Sequence, residues 1–461
     1  MSSAGISFGG LASGLDSKAI ISALLAVERR PITALETKKT SLGKQKSLFS
    51  DLKGLLEKLT ESAKKLKTTG DFLKMKAASD DEDIVTATAS SSATPGTYTV
   101  KVENLATAQV NSVGSSSRTA PIDGGAPASL QITVDGVDHF ITINDTSLDA
   151  IAARINEEDD NLGIGVRAEV IDTGDPDPSQ RYQLVMRAKE PGSANGFTVA
   201  VDDGGPEFTA LIDGLANNEV SEAKDAKLIV NSIPVYRSTN TVSDLWNGIS
   251  LDLKSADPTK DITITVSTDA EETSKNVKEM VDAYNAVVDF FQAQNALDSE
   301  GKAKSPVFGD ATLRSMRSNL RQIAGGIVSD TGNEAYQLLS QIGIKADTQG
   351  KLEFNQSKFE EALSTDELAV TALFTNAGTG IAARFETQID VYTDSVDGLL
   401  KSRADSFDRQ VKDTQRRIDD GERRLTLYEQ QLTAKYANLE TLLSKLQSQG
   451  SSIGNIAQLS R

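Results

Sequence analysis

The chain has no cysteine and only one histidine among its 461 residues. A thiol nucleophile, a disulfide and a zinc site of cysteine and histidine are therefore excluded, and a Ser-His-Asp centre could use only His139. The spacing places His139 opposite Ile132 in a predicted hairpin, which favours a residue on a strand face. Phosphate-binding loops of the GxxxxGK[ST] type are absent as well. Together, these absences lead us to expect no catalytic residue, cofactor or metal. A two-carboxylate hydrolase stays open, because Asp and Glu are abundant.

Clusters of Lys and Arg are also scarce. The formal net charge is −18, which argues against nucleic acid or an anionic membrane as a partner. No apolar run approaches the ~20 residues of a membrane span, so we expect no membrane insertion. Met1 to Gly14 lacks the pattern of a secretory signal, which implies a dedicated route if the protein is exported. The acidic runs Asp80 to Asp83 and Glu157 to Asp160 are predicted to be solvated loops.

A heptad pattern is present near the N-terminus. One row of residues seven apart is Leu35, Leu42, Phe49, Leu56 and Ala63, and the companion row is Lys38, Gln45, Leu52, Leu59 and Leu66. Such rows form the a/d seam of a coiled coil. Pro31 is expected to end or kink a preceding short helix and to begin the helix that carries this seam.

A second seam lies near the C-terminus, where apolar residues step by three and four. Its members are Ala404, Phe407, Val411, Thr414, Ile418, Gly421, Leu425, Tyr428 and Leu432, followed one residue late by Tyr436, Leu439, Leu443 and Leu446. The extra residue is a stutter, which locally unwinds a supercoil. A helix from Lys401 to Leu446 would be about 70 Å long at roughly 1.5 Å per residue. An ordinary pair of long surface helices is the alternative interpretation.

Between these ends the period changes to two, which is typical of strands. Tyr98, Val100 and Val102 alternate with polar residues, and Asp135-Gly136 is a two-residue hairpin turn. The natural sheet partner of the Tyr98 strand is a later β segment, 228–266, so one β domain should be interrupted by another. The fold class is therefore predicted to be α+β and multidomain, with paired long terminal helices forming a coiled-coil leg and β-rich head domains inserted between them.

The predicted domain boundaries follow these changes of period. They are a mobile segment 1–34, a coiled-coil helix 35–75 that pairs with 271–420, a β head domain in two parts (76–109 and 221–270), an inserted β-rich domain 110–220, a helical domain 271–400, a C-terminal coiled-coil helix 401–449 and a mobile tail 450–461. The hypothetical helix-pairing seam comprises Leu35, Leu42, Phe49, Leu52, Leu56, Leu59, Leu66, Phe407, Val411, Ile418, Leu425, Tyr428, Leu432, Tyr436, Leu439 and Leu443.

A specific motif stands before the first heptads. It reads SFGGLASGLD from Ser7 to Asp16 and is followed by Glu-Arg-Arg-Pro at 28–31. This motif resembles the N-terminal signature of the flagellar filament cap proteins, the FliD or hook-associated protein 2 family. The positions that carry the resemblance are Gly9, Gly10, Leu11, Ser13, Gly14, Leu15, Asp16, Arg30 and Pro31. Similar positions recur around Asn231, Asn240, Tyr284 and Gly343, so the resemblance covers nearly the whole chain.

The resemblance implies a structural protein. It implies that the terminal helices pair as a leg and that the β domains form the plate of an annular homo-oligomer at the distal tip of the bacterial flagellar filament. There the protein would retain exported flagellin and promote its folding and polymerisation. Its implied partners are its own copies, flagellin, and filament or hook-associated proteins. The resemblance also implies secretion through the flagellar type III channel and leaves open an export chaperone as a partner before secretion.

Two alternatives stay open. A hook–filament junction protein shares the paired terminal helices and the exit route, and an extracellular carboxylate-dependent hydrolase would need two suitably spaced acids in a cleft. Two residues depart from the family pattern. Ser232 stands where glycine often follows Asn, and Trp246 replaces an aliphatic residue, so both bear on local turn geometry and packing.

Overall fold

The computed structural model describes the backbone of residues 16–459 and the side chains of residues 16–450. The chain divides into two compact units. The helical unit comprises Met1–Phe72 and Thr273–Arg461, and the β unit comprises Leu73–Glu272. One unit is therefore built from both ends of the chain, and the other is inserted between them.

The α-helices of the described residues follow in chain order. They are α1 Ser17–Lys64, α2 Thr69–Phe72, α3 Leu148–Leu162, α4 Pro206–Asn217, α5 Ala270–Gln294, α6 Ala311–Gly325, α7 Gln356–Thr365, α8 Glu367–Thr375, α9 Ile381–Thr393 and α10 Leu399–Leu459.

The β-strands follow in the same way. They are β1 Met75–Ser79, β2 Val85–Ala89, β3 Gly96–Asn104, β4 Val110–Ser115, β5 Ala128–Val134, β6 Val137–Ile143, β7 Val166–Asp172, β8 Tyr182–Ala188, β9 Phe197–Asp203, β10 Glu219–Ser221, β11 Ala226–Val230, β12 Ile233–Arg237, β13 Thr241–Trp246, β14 Ile249–Leu253, β15 Ile262–Thr268, β16 Ile344–Ala346 and β17 Leu352–Phe354.

Helix α1 begins at a conventional cap and runs through a proline. The Asp16 carboxylate accepts a hydrogen bond from the Ala19 backbone N–H at 2.9 Å, which satisfies one of the free donors of the first turn. The expected break at Pro31 is absent, because α1 is continuous from Ser17 to Lys64. Proline removes one backbone hydrogen bond, and the other turns of this 48-residue helix continue on both sides of Pro31.

Helix α10 is longer than the sequence predicted. It continues past residue 449 to Leu459, so the expected mobile tail is helical over most of its length. Gly450, which suggested the end of the helix, lowers helix stability by about 1 kcal/mol but does not forbid helical backbone. Helices α1 and α10 form the long pair of the helical unit.

The remaining helices pack around an aromatic core. Phe72 at the end of α2 stacks on Phe374 of α8 with ring centres 5.0 Å apart, and it meets Phe359 of α7 edge-on at 6.4 Å. The helical spacing that follows Asp310 predicts a cap at this residue. It is confirmed, because the Asp310 carboxylate accepts from the Thr312 and Leu313 backbone N–H groups. The stretch 344–354, which turns at Gly350, predicts a hairpin, and β16 and β17 form it.

The β unit holds two hydrophobic cores. The first combines residues from 84–106 with residues from 226–266. Its five-stranded sheet has the order β1-β15-β3-β11-β12, beside a three-stranded sheet β13-β14-β2. The Tyr98 strand β3 pairs with both β11 and β15, so one sheet joins strands that precede and follow residues 110–220 in the sequence.

The second core lies wholly within residues 128–215. It is enclosed by a four-stranded sheet β10-β4-β8-β7, a three-stranded sheet β6-β5-β9 and the helices α3 and α4. The predicted hairpin at Asp135-Gly136 is confirmed, with Ile132 paired to the half-buried His139. Both turn residues have positive φ, as a two-residue hairpin loop requires.

One acidic run differs from its predicted solvated loop. Residues 157–160 lie on α3, and the Asp159 side chain is fully buried. Its carboxylate pairs with Arg167 at 2.9 Å and Lys189 at 3.1 Å, and it accepts from the Gly165 backbone N–H at 2.9 Å. A carboxylate can be buried when charged donors replace its lost water, and those donors come from β7 and from Lys189, 30 residues away.

None of the helices in the described part of the chain has a stretch that is both long and apolar enough to cross a membrane.

Candidate functional site

The feature that best distinguishes the helical unit is the contact between α1 and α10. Polar pairs along its length fix the direction. Arg29 pairs with Glu422 at 2.9 Å, and Lys46 pairs with Asp408 at 2.6 Å. Numbers rise along one helix while they fall along the other, so the two helices are antiparallel. The first and the last helix of the described residues are thereby held side by side.

An aromatic cluster forms the firmest part of this contact. The ring of Phe49 lies 5.6 Å from the ring of Phe407, and the Arg403 guanidinium lies 5.7 Å from the centre of Phe49. Arg403 also donates a hydrogen bond through Nη2 to the Asp310 carboxylate at 2.7 Å. Because Asp310 caps α6, this chain of contacts attaches the base of the helix pair to the rest of the helical unit.

The predicted seam residues differ in burial. Leu42, Phe49, Leu52, Leu56, Leu59, Leu66, Phe407, Ile418 and Leu432 are buried; Leu35, Val411, Leu425, Tyr428, Tyr436 and Leu443 are half-buried; and Leu439 is 42% exposed. Burial therefore fades toward the end of the pair where α1 begins and α10 ends. Apolar side chains that stay exposed at this end are Leu24, Val27, Leu427, Leu439, Leu442 and Leu446.

The register shows that part of the N-terminal seam has a different partner. Lys46 lies opposite Asp408, so residue 56, ten positions later, falls opposite residue 398, just before α10 begins. Leu56 and Leu59, which the seam groups with residues of α10, therefore lie beyond the start of α10. The predicted pairing range 271–420 also includes α9. This part of α1 packs against α9, and Lys67 binds Glu386 of α9 at 2.6 Å. Heptad spacing shows which face is buried but not which helix covers it.

The first two members of the companion row are shifted by one residue. The spacing predicts that Lys38 and Gln45 face the partner helix, but Lys39 donates to Gln415 and Lys46 pairs with Asp408 across the contact. A straight helix of 3.6 residues per turn drifts from a strict seven-residue repeat, which accounts for the shift. The same drift buries Ile32, a residue that the heptad rows missed.

The N-terminal motif lies partly outside the described residues, which is the case for Gly9, Gly10, Leu11, Ser13, Gly14 and Leu15. Asp16 caps α1, Arg30 is exposed, and Pro31 lines an open groove between α1 and α10. This groove has a volume of about 920 Å³. Over residues 16–450, His, Asp and Glu side chains form no cluster suited to a metal ion.

Comparison with known families gives two matches in this chain. The family described as "Flagellar hook-associated protein 2 N-terminus" matches residues 13–109, and the family described as "Flagellar hook-associated protein 2 C-terminus" matches residues 223–448. Together these matches include all of α1, the first core of the β unit and almost all of the helical unit. The stretch between them contains the second core of the β unit.

Individual relatives agree with these matches. The A-type flagellar hook-associated protein 2 of Pseudomonas aeruginosa is 29% identical over 442 residues, covering 88% of each chain. Flagellar hook-associated protein 2 of Escherichia coli strain K12 is 27% identical and covers 97% of each chain. The crystal structure of the D1-D2-D3 domains of the Escherichia coli flagellar cap protein FliD aligns with a TM-score of 0.62 at 26% identity, covering 78% of this chain and 99% of that one. The chain belongs to the flagellar hook-associated protein 2 family.

Proposed function

We propose that this protein caps the distal end of the bacterial flagellar filament, where it retains exported flagellin and promotes its folding and polymerisation. The observation that carries this proposal is the antiparallel pair of α1 and α10, which joins the first and the last helix of the described residues, while the β unit is inserted between them in the sequence. The named relatives, which include a flagellar cap protein of known structure, support it.

The two ends of the helix pair suit different tasks. Near Phe49 the pair is closed by buried aromatic rings and by the Arg403–Asp310 hydrogen bond. Toward Leu24 and Leu446 it leaves apolar side chains in solvent. Apolar side chains on a thin pair of helices gain burial only against another molecule, so this end is suited to contact neighbouring subunits.

Such a contact is expected to be reversible. Ordering long helices against a partner costs conformational entropy, and this cost offsets part of the favourable burial of leucine side chains. A cap must release its contact each time a new flagellin subunit is inserted beneath it. A helix pair that is well buried near Phe49 and weakly buried near Leu24 and Leu446 can both hold such a contact and release it.

The proposed assembly is an annular homo-oligomer in which the β units form the plate and the helix pairs form the legs. Export through the flagellar type III channel, with an export chaperone before secretion, belongs to the same proposal. The role is structural, in keeping with the family, and no catalytic residue is assigned. A hook–filament junction protein is the competing assignment.

Electron microscopy of a strain that lacks the gene tests the proposal. We expect filaments to be absent while unpolymerised flagellin accumulates in the medium, and full-length protein supplied in trans should restore the filaments. Normal filaments in the deletion strain would overturn the proposal. A hook–filament junction role predicts instead that purified protein added to the ends of preformed filaments has no effect on their growth.

A further inference from the structure

Charge is distributed unevenly between the two units. The β unit contains 14 of the 48 Lys and Arg residues but 33 of the 66 Asp and Glu residues, a net charge of −19. The helical unit is consequently almost neutral. Within it, the segments 28–46 and 409–424 together hold twelve basic and six acidic residues. This acidic protein therefore carries a basic stretch on its helix pair.

The basic stretch contains the groove of about 920 Å³ between α1 and α10. Pro31, Ala34, Leu35 and Lys38 line one wall, and the other wall is lined by Arg417, Asp420, Arg423, Arg424 and Leu427. Ala34, Leu35 and Lys38 follow Pro31 by three, four and seven positions, and Asp420, Arg424 and Leu427 follow Arg417 by three, seven and ten, so each wall is a single helix face. Seven residues of helix span roughly 10 Å, so the groove runs along about two turns.

The groove walls combine apolar side chains with cations that have no ion-pair partner. Leu427 is 58% exposed, and Leu35 is only half-buried although it belongs to the predicted seam. Two other arginines have acidic partners: Arg29 pairs with Glu422 outside the groove, and Arg423 pairs with Asp420 within its lining. Across residues 16–450, by contrast, Lys38, Arg417 and Arg424 form no ion pair.

We propose that this groove binds an acidic amphipathic helix of the filament subunit, packed as a third helix against α1 and α10. The inference rests on the proposed capping function. A third helix fits because the two walls are parallel ridges of helical spacing, and its apolar residues would cover Leu35 and Leu427. Its Asp and Glu residues would pair with Lys38, Arg417 and Arg424, so binding would be favourable at low salt and weaker at high salt.

The test uses full-length protein and purified filaments from which the cap has been removed. Binding is measured by co-sedimentation at low and at high salt for the wild type and for the double variant Arg417→Glu/Arg424→Glu. We expect the variant to bind at least about tenfold more weakly at low salt and to show a smaller salt dependence. The double variant Lys58→Glu/Lys435→Glu is the matched control, because it changes the net charge equally on exposed residues outside the groove.

Each outcome decides between the possibilities. Unchanged binding of the groove variant, or an equal loss in the control, overturns the inference. A changed oligomer size with unchanged filament binding assigns the groove to a second copy and also overturns it. The milder variant Arg417→Gln/Arg424→Gln replaces the first if circular dichroism shows a loss of helix. Elongation by the wild-type protein, measured in the same samples, tests capping separately; if it fails, both proposals fail.

Discussion

Gly421 of α10 lies so close to Ile32 of α1 that a Cβ atom at position 421 would stand 2.9 Å from Cγ1 of Ile32. The absence of a side chain at Gly421 lets the two helices approach and buries Ile32. Pro31 is the neighbour of Ile32, so the proline of α1 and Gly421 of α10 stand at the same level of the helix pair. The contact continues through this level because glycine removes the bulk that a regular seam residue would add.

Substitution of Gly421 by alanine should weaken the helix pair. The new methyl group overlaps Ile32, and overpacking of this kind costs about 1–3 kcal/mol. Gly43→Ala is the control, since a Cβ atom at Gly43 of α1 meets nothing within 4 Å and alanine stabilises an exposed helix by up to about 1 kcal/mol. Urea unfolding followed by circular dichroism should separate the two variants. Equal midpoints would contradict the close approach.

Phe49→Ala should destabilise the helical unit by about 3 kcal/mol. The ring is buried between Phe407 and the Arg403 guanidinium, so its removal leaves a cavity and takes away the ring against which Arg403 packs. Leu427→Ala is the control and should change stability by less than about 0.5 kcal/mol, because Leu427 is largely exposed. The measurement is the free energy of unfolding from the helical signal. A similar loss for both variants would show that Phe49 does not anchor the pair.

The residues that the sequence predicted well are those whose partners are local. Strand alternation, the Asp135-Gly136 turn and the Asp310 cap depend on neighbouring residues, and the structure has them. The heptad rows identified the buried face of α1 correctly but not its partner beyond Phe49. Two helices, α9 and α10, cover that face in succession, and spacing alone carries no information on which helix does so.

The sequence also could not predict where a buried charge finds its partners. Asp159 belongs to an acidic run whose composition predicts a solvated loop, yet Arg167 of β7 and the more distant Lys189 pair with it and make its burial possible. The groove at Arg417 could not be predicted for the same reason. It requires the lateral register of α1 and α10, which depends on contacts such as Gly421 with Ile32.

Ser232→Gly should stabilise the first core of the β unit by about 1 kcal/mol. Ser232 follows Asn231 in the turn between β11 and β12, and its φ of 69° is a left-handed conformation that glycine adopts without strain. Fluorescence of Trp246, the only tryptophan in the chain, reports on this core. Ser232→Val is the opposite control and should lower stability. A stabilising valine would contradict the backbone argument.

Removal of residues 110–220 should leave both the first β core and the helical unit folded. The two ends of this insert meet in an isolated pair, in which the Thr107 N–H donates to the Lys224 carbonyl at 2.9 Å and Lys224 donates back at 3.1 Å. A short Gly-Ser linker can therefore replace the insert. The helical circular dichroism and the unfolding transition of Trp246 should both persist. Loss of either signal would place the boundary elsewhere.

We propose that capping depends on the paired terminal helices. The most direct test is the growth of cap-less filaments in purified flagellin, with the full-length protein, with a protein lacking Met1–Arg30, or with a protein lacking Gly450–Arg461. We expect the full chain to restore elongation, whereas either truncated protein keeps its Trp246 transition and restores none. Elongation by a truncated protein at the rate of the full chain, or no elongation with the full chain, would show that capping does not depend on the terminal helices.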